Sequence, residues 1–294
     1  MGGGILILIT GITGLTGRFL LGSLRESGYH GLIRCLVREH SDISWVRDDK
    51  VDFIYGDVSD ACSLLPAFNG VDGVIHLVNI RFSPQIIEAC NTSGVKRILI
   101  VSTTGVFSKY RELSKEYQVL EKQIAGSGLD YTIIRPTMIY GNQRDRNIHK
   151  LVKIVNKYAL VPIIGNGEGL MQPIYAQDLA TVIARAYLDK VAIGKAYNVA
   201  GKEPVSYFEV LQLIAENLGK KRRFIRVPFS LALAAGFIAE KFYNGLITSE
   251  KVKRLREDKV FDYSEAEKDL NFSPVSFAEG IRLEIEALKK AGVI

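Results

Sequence analysis

The sequence predicts an α/β protein: a Rossmann-type, doubly wound parallel sheet with a small C-terminal α/β lobe. Three observations carry this. Short apolar runs alternate with amphipathic helical stretches through the first half of the chain. The runs are rich in β-branched residues and nearly continuous in hydrophobicity, as strands covered on both faces are. The first run leads into a glycine-rich turn, "TGITGLTG" from Thr10 to Gly17, that opens a helix. Strand–helix–strand repetition at this pitch reads as right-handed crossovers within one parallel sheet.

In order, the strands are expected at Ile5–Ile9, Ile33–Val37, Asp52–Tyr55, Gly73–Leu77, Arg97–Val101 and Tyr131–Ile134. Amphipathic stretches lie between them at Gly14–Ser27, Ser83–Ser93 and Arg111–Ala125, the last built from strong helix formers. After "RPTMIYG" (Arg135–Gly141) helices dominate, broken by "LVPIIGNGEG" (Leu160–Gly169) and by short strands such as Ala196–Val199 and Phe224–Val227. We therefore assign residues 1–160 to the Rossmann domain, with later segments returning to it. Residues 161–294 are expected to form most of a smaller, substrate-holding lobe.

At 294 residues and 47% hydrophobic, the chain can bury a sizeable core. The net charge of +6 is concentrated in "KKRRFIR" (Lys220–Arg226) and "KVKRLRE" (Lys251–Glu257). Both read as solvated faces. Neither carries a nucleic-acid motif or an aromatic-interleaved basic stripe, so nucleic acid is not an expected partner. Cys35, Cys62 and Cys90 have no paired spacing and make no disulfide framework. The four histidines show no metal-ligand spacing, so no metal is expected. "ILILI" is too short for a signal-peptide core. "FSLALAAGFIA" (Phe229–Ala239) is too short to span a bilayer and reads as a buried helix rather than a membrane-surface one. A cytoplasmic protein without membrane association follows, and a homodimer is compatible with the sequence.

The glycines point to a ligand. A strand, a glycine turn and a helix together present free backbone N–H groups at a helix N-terminus, where a phosphate can sit. Gly11 permits the tight turn, Gly14 lets backbone approach a pyrophosphate, and Gly17 lets helix and strand pack closely. Thr13, Leu15 and Thr16 complete the loop that would hold a dinucleotide.

The spacing G-x-x-G-x-x-G resembles the extended and atypical short-chain dehydrogenase/reductases, the epimerase/dehydratase-like group. The resemblance runs over nearly the whole chain. "GDVSD" (Gly56–Asp60) is similar to the segment that contacts adenine in that family, which implicates Asp57 and Val58. "VDGVIHLVN" looks like its fourth strand, placing Leu77 at the cofactor, and "VKRILIVSTTGVF" looks like its fifth. "GLDYTIIRPTMIYG" matches its sixth strand and the following cofactor loop, with Pro136 and Thr137. "PIYAQDLA" resembles its "V-x-D-x-A" stretch. The resemblance implies a nicotinamide cofactor and a small-molecule substrate. The second strand ends in Arg38 where NAD-dependent proteins usually carry an acid. A guanidinium suits a 2′-phosphate, so NADP(H) is favoured over NAD(H).

The family's reaction centre is a Ser or Thr after the fifth strand and a Tyr-x-x-x-Lys pair on the next helix. Thr103 matches the first. At the pair the chain departs from the family: Leu113 and Tyr117 stand at the Tyr and Lys positions, and no Tyr-x-x-x-Lys occurs nearby. Tyr110 is the nearest substitute acid/base, and Lys115 would face away from it. A second departure is Met171, where nucleotide-sugar epimerases often hold the substrate diphosphate with Arg; Arg226, Arg254 and Arg256 are the other cations at hand. Two readings follow. One is an NAD(P)-dependent oxidoreductase or epimerase-like enzyme using Thr103 and Tyr110. The other is a non-catalytic NADP(H)-binding sensor or accessory protein.

Overall fold

The computed structural model describes residues 5–110, 112–145, 147–231 and 257–294. The chain runs β1 (Leu6–Thr10), α1 (Gly17–Glu26), β2 (Leu32–Val37), β3 (Val51–Tyr55), α2 (Ala61–Ala67) and β4 (Gly73–His76). It continues through α3 (Ser83–Ser93), β5 (Arg97–Val101), α4 (Ser114–Ala125), β6 (Asp130–Pro136), β7 (Ile139–Tyr140), α5 (Ile148–Lys157) and β8 (Leu160–Ile164). Then come β9 (Leu170–Met171), β10 (Ile174–Tyr175), α6 (Ala176–Leu188), β11 (Lys195–Val199), β12 (Val205–Ser206), α7 (Tyr207–Asn217) and β13 (Arg223–Val227). Helices α8 (Ser264–Leu270) and α9 (Phe277–Lys290) close the described chain.

One seven-stranded sheet has the order β11-β6-β5-β4-β1-β2-β3. All of its pairings are parallel. The apolar runs explain why it is covered on both faces. In β1, Ile7 and Ile9 join the core beneath α1 and α6, while Leu8 between them joins the core beneath α2, α3 and α4. All three are fully buried. In β5, Leu99 faces the first core, and Ile98 and Ile100 face the second. A third core gathers residues from Tyr140 onward, including Val152, Val161, Met171, Leu211 and Ile281.

The observed strands match the expected ones to within one or two residues. Three differences have physical causes. Helix α1 begins at Gly17, not Gly14, because Gly14 closes a turn onto the Gly11 carbonyl (3.0 Å). Helix α4 begins at Ser114 rather than 111, and Tyr110 lies in the loop before it. Helix α2 went unanticipated. Its start signal is Asp60, whose carboxylate accepts the Cys62 N–H, and Pro66 inside the helix masks the pattern. Residues 232–239 of the apolar run, and Lys251, Arg254 and Arg256 of the second basic cluster, lie outside the described residues. Among the described residues, no helix is long and apolar enough to cross a membrane.

Candidate functional site

The strand order reverses between β1 and β4, so the connections leaving their C-terminal ends run to opposite faces of the sheet and leave a crevice between them. The glycine loop sits there, and its three glycines do three different jobs. Gly11 has φ +84°, a conformation L side chains avoid. A Cβ there would also press on Val78 (3.1 Å) and Leu77 (3.2 Å), so the loop backbone lies directly against the end of β4. Gly17 would place a Cβ 2.3 Å from the Ile12 carbonyl oxygen, so only glycine lets α1 pack on the turn. Gly14 differs from both. It is exposed, and a Cβ would meet only the Gly11 oxygen within 4 Å. Its φ is not in the left-handed region, so the need for glycine at this position is open space and not backbone freedom.

That open space is what a pyrophosphate requires. Among the described residues, neither Leu15 nor Thr16 gives its N–H to a backbone or side-chain acceptor. Thr16 makes no side-chain cap and the first turn of α1 holds no acid. The helix thus directs unspent N–H groups and a positive dipole end at the crevice. Beneath the loop, Thr10 Oγ1 lies 2.7 Å from His76 Nδ1. Burial pushes His76 down to about 4, so the ring is neutral at physiological pH and adds no charge under the ligand.

Arg38 follows β2 and is exposed. Its charge reaches Asp57, which is held below the usual carboxylate range, first by hydrogen bonds from Ser59 and in small part by Arg38. The two residues therefore stand together beside the ends of β2 and β3, as Gly56 N–H bonding to the Val37 carbonyl requires. The loop beyond Arg38 is pinned by contacts that sequence reasoning missed. Arg18 on α1 pairs with Asp42 at 2.6 Å and stacks over Trp45 at 5.1 Å. Arg144 also approaches Asp42, at 3.7 Å. No local pattern links residues 18, 42 and 144.

On the other side of the crevice, Thr103 Oγ1 accepts the Gly105 N–H at 3.0 Å and keeps its own proton to donate. Thr104 bonds to the Pro136 carbonyl (3.2 Å), and Thr137 bonds to the Gln172 carbonyl (2.5 Å), so the loops after β5 and β6 are tied together. Behind them, Ser102 and Arg135 both converge on the buried Glu121; the Arg135–Glu121 contact is 2.7 Å. Tyr110 is exposed and sits apart in the loop before α4. Leu113 is the residue preceding α4, and Tyr117 is buried in the second core. Those two positions therefore supply packing.

A cavity of about 630 Å³ lies farther along, lined by the Gly165–Gly169 turn, Ile164, Met171, Tyr207, Phe229, Asp258 and Lys259. Met171 is buried and paired to Val205, so it offers no charge to a diphosphate. Residues 257–261 strap across this region. Glu257 accepts from Ser108 Oγ and the Lys109 N–H, both at 2.7 Å, and Phe261 N–H bonds to Gln172.

A family model described as NAD(P)H-binding matches residues 11–188, the span from the first glycine through α6. The chain belongs to that NAD(P)-binding family. Within it, the chain falls in the epimerase-like, extended short-chain dehydrogenase/reductase group. It is 25% identical over 297 residues to a 3beta-hydroxysteroid-dehydrogenase/decarboxylase of Arabidopsis thaliana, covering 82% of this chain and 68% of the relative. It is 24% identical over 256 residues to an NADH dehydrogenase [ubiquinone] 1 alpha subcomplex subunit 9 of the same plant, covering 79% and 62%. The chain thus spans about two-thirds of the length of these relatives. In structure it is similar to a UDP-glucose 4-epimerase of Thermotoga maritima, with a TM-score of 0.76 and 18% identity over 98% of this chain and 99% of that one. The last likeness shows the shared family fold.

Proposed function

We propose that this protein is an NADP(H)-preferring oxidoreductase of the epimerase-like short-chain type, acting on a substrate that is not a nucleotide diphosphate sugar. The observation that carries it is the open, uncapped glycine loop at the switch point, with Arg38 beside it. Gly11, Gly14 and the N–H groups of Leu15 and Thr16 would hold the pyrophosphate. Asp57 and Val58 would meet the adenine, and Leu77, Pro136 and Thr137 would flank the nicotinamide half. When bound, the nicotinamide would supply hydride transfer. Thr103 would hold a substrate hydroxyl or carbonyl through its free proton, and Tyr110, the nearest phenol in sequence to the usual position, would do the acid/base work. The buried Cys35 and Cys90, whose thiols burial pushes upward, fit a reducing, cytoplasmic setting. A second reading, a non-catalytic NADP(H)-binding accessory protein, is favoured by Leu113 and the buried Tyr117, which leave the usual proton-moving pair unreplaced on α4.

Titration by nucleotide fluorescence tests the cofactor. NADPH should bind more tightly than NADH. Arg38→Ala should weaken NADPH by about 10- to 100-fold, the worth of a charge-assisted contact to phosphate, and leave NADH unchanged. Equal affinities in the wild type would remove the assignment.

The purified protein should show little or no 4-epimerase turnover on UDP-glucose, because each missing acid/base group typically forfeits about 10²–10⁴-fold in rate. On any alcohol or ketone it does turn over with NADP(H), Tyr110→Phe should cut the rate sharply at unchanged cofactor affinity. If no substrate panel yields turnover while NADPH binds tightly, the accessory reading stands instead. A robust epimerase rate would show that the proton-moving residues have been misassigned.

A further inference from the structure

Helix α5 and the two-stranded ribbon β8–β13 form a surface that the dinucleotide site does not use. The register pairs Leu160 with Arg223 and Pro162 with Ile225. These four residues are exposed, while Val161 and Ile163, alternating with them, are buried in the third core. The outer face of the ribbon is therefore apolar and basic at once. Leu160 is 54% exposed and Ile225 49%, and Tyr158 and Leu231 at its margins are 50% and 62% exposed. Exposed apolar side chains grouped on one face mark an interaction surface, whereas single scattered ones do not.

The charge around it is one-sided. Residues 147–164 and 217–231 hold eight lysines and arginines and no aspartate or glutamate. The whole chain has a net charge of +6, so the rest of the molecule is slightly acidic. Some of these cations are spent internally: Lys220 and Arg222 bond to the carbonyls of Val155 and Asn156 at the end of α5. Others are not. Among the described residues, Lys153, Lys221, Arg223 and Arg226 form no ion pair. The first basic cluster, read from the sequence as merely solvated, is placed by the fold beside the α5 lysines and around exposed aliphatic side chains.

We propose that the α5/β8–β13 face docks the protein on an anionic lipid surface. Aliphatic and aromatic side chains would enter the headgroup boundary, and the ring of long basic side chains would meet lipid phosphates and carboxylates. A nucleic-acid surface would pair such cations with polar and stacking groups; here leucine, isoleucine and proline stand between them. The chain leaves this face through Phe229–Leu231, where its longest late apolar run begins. The ribbon also ends at the cavity, since Ile164, paired with Val227, lines its wall. The docking face therefore adjoins that cavity.

Co-sedimentation of the full chain with lipid vesicles tests this. The protein should pellet with phosphatidylcholine–phosphatidylserine vesicles, not with pure phosphatidylcholine, and high salt should release it. Arg223→Ala/Arg226→Ala should lower partitioning by about 25-fold, about fivefold for each cation removed. Leu160→Ser/Ile225→Ser should weaken binding even at low salt. All four side chains are exposed, so both variants should keep wild-type circular dichroism and NADPH affinity. Failure of the wild type to pellet with phosphatidylserine vesicles would overturn the proposal, as would unchanged partitioning of either variant. Retention on duplex DNA without vesicle binding would overturn it in favour of a nucleic-acid surface.

Discussion

Gly14→Val should abolish dinucleotide binding and leave the protein folded. A Cβ at Gly14 meets only the Gly11 oxygen, at 3.2 Å, so the valine side chain points into the crevice rather than into the fold. It would stand where the loop's N–H groups face the pyrophosphate. Losing two charge-assisted hydrogen bonds of about 1.5–3 kcal/mol each predicts at least about 100-fold weaker binding. Gly17→Val is the control that makes the result specific. There the new Cβ would lie 2.3 Å from the Ile12 carbonyl, and relieving that overlap should cost about 3 kcal/mol of stability. Calorimetry and fluorescence titration on both variants separate the cases. Normal nucleotide binding by Gly14→Val would mean the cofactor is held elsewhere.

Glu284→Gln should stabilise the protein at neutral and alkaline pH. Glu284 on α9 is fully buried, beside Asp145 and the Gly141 backbone. Burial first, and then the nearby Asp145, push it up to about 10. Asp145 faces it and also accepts the Asn147 and His149 N–H groups, with His149 Nδ1 at 3.4 Å, so a proton on Glu284 can be shared between the two carboxyl groups. Tyr140, Tyr175, Asp178, Glu203 and Glu286 are coupled around this corner, and Tyr140 is itself driven upward.

The sign follows from proton counts. Between pH 4.5, the ordinary glutamate value, and about 10, the folded state keeps a proton that the unfolded state releases. Stability therefore falls as pH rises across that window. By pH 7 the loss amounts to about 3 kcal/mol, which the neutral amide would remove. At the acid end His76 acts oppositely. Its unfolded form gains a proton as pH drops below 6.5, and its buried ring does not until about 4. Wild-type stability should thus peak at mildly acidic pH, and the Glu284→Gln optimum should move upward. Coincident profiles for the two proteins would show that Glu284 does not carry the effect.

The glycine loop and the strands around it were legible because they are built from contiguous sequence. A phosphate-binding turn needs a strand, a few glycines and a helix within one short span, and each leaves a local mark. The places where reading ran out are equally physical. The spacing of the three glycines does not show that they differ in conformation: only Gly11 among them has a positive φ. Tyr110 was read at the start of a helix expected from Arg111, but that helix begins at Ser114 and Tyr110 lies in the loop before it. Thr103 accepts the Gly105 N–H, a bond that the family match to Thr103 did not reveal.

What the sequence by itself determined is the parallel sheet, the glycine loop and the family. These rest on periodicity and short-range spacing, which fix which faces are apolar and where the chain must turn. The tertiary structure alone decided which distant groups meet. It brought Arg18, Asp42 and Arg144 together across more than a hundred residues, and it set Glu284 against Asp145. It also set the basic segment that leads into β13 against the end of the basic helix α5, bringing two segments that look ordinary in sequence side by side. Such pairings are fixed by packing between elements far apart in the chain. No repeat or spacing in a single sequence encodes them, because each partner satisfies its own local pattern equally well without the other.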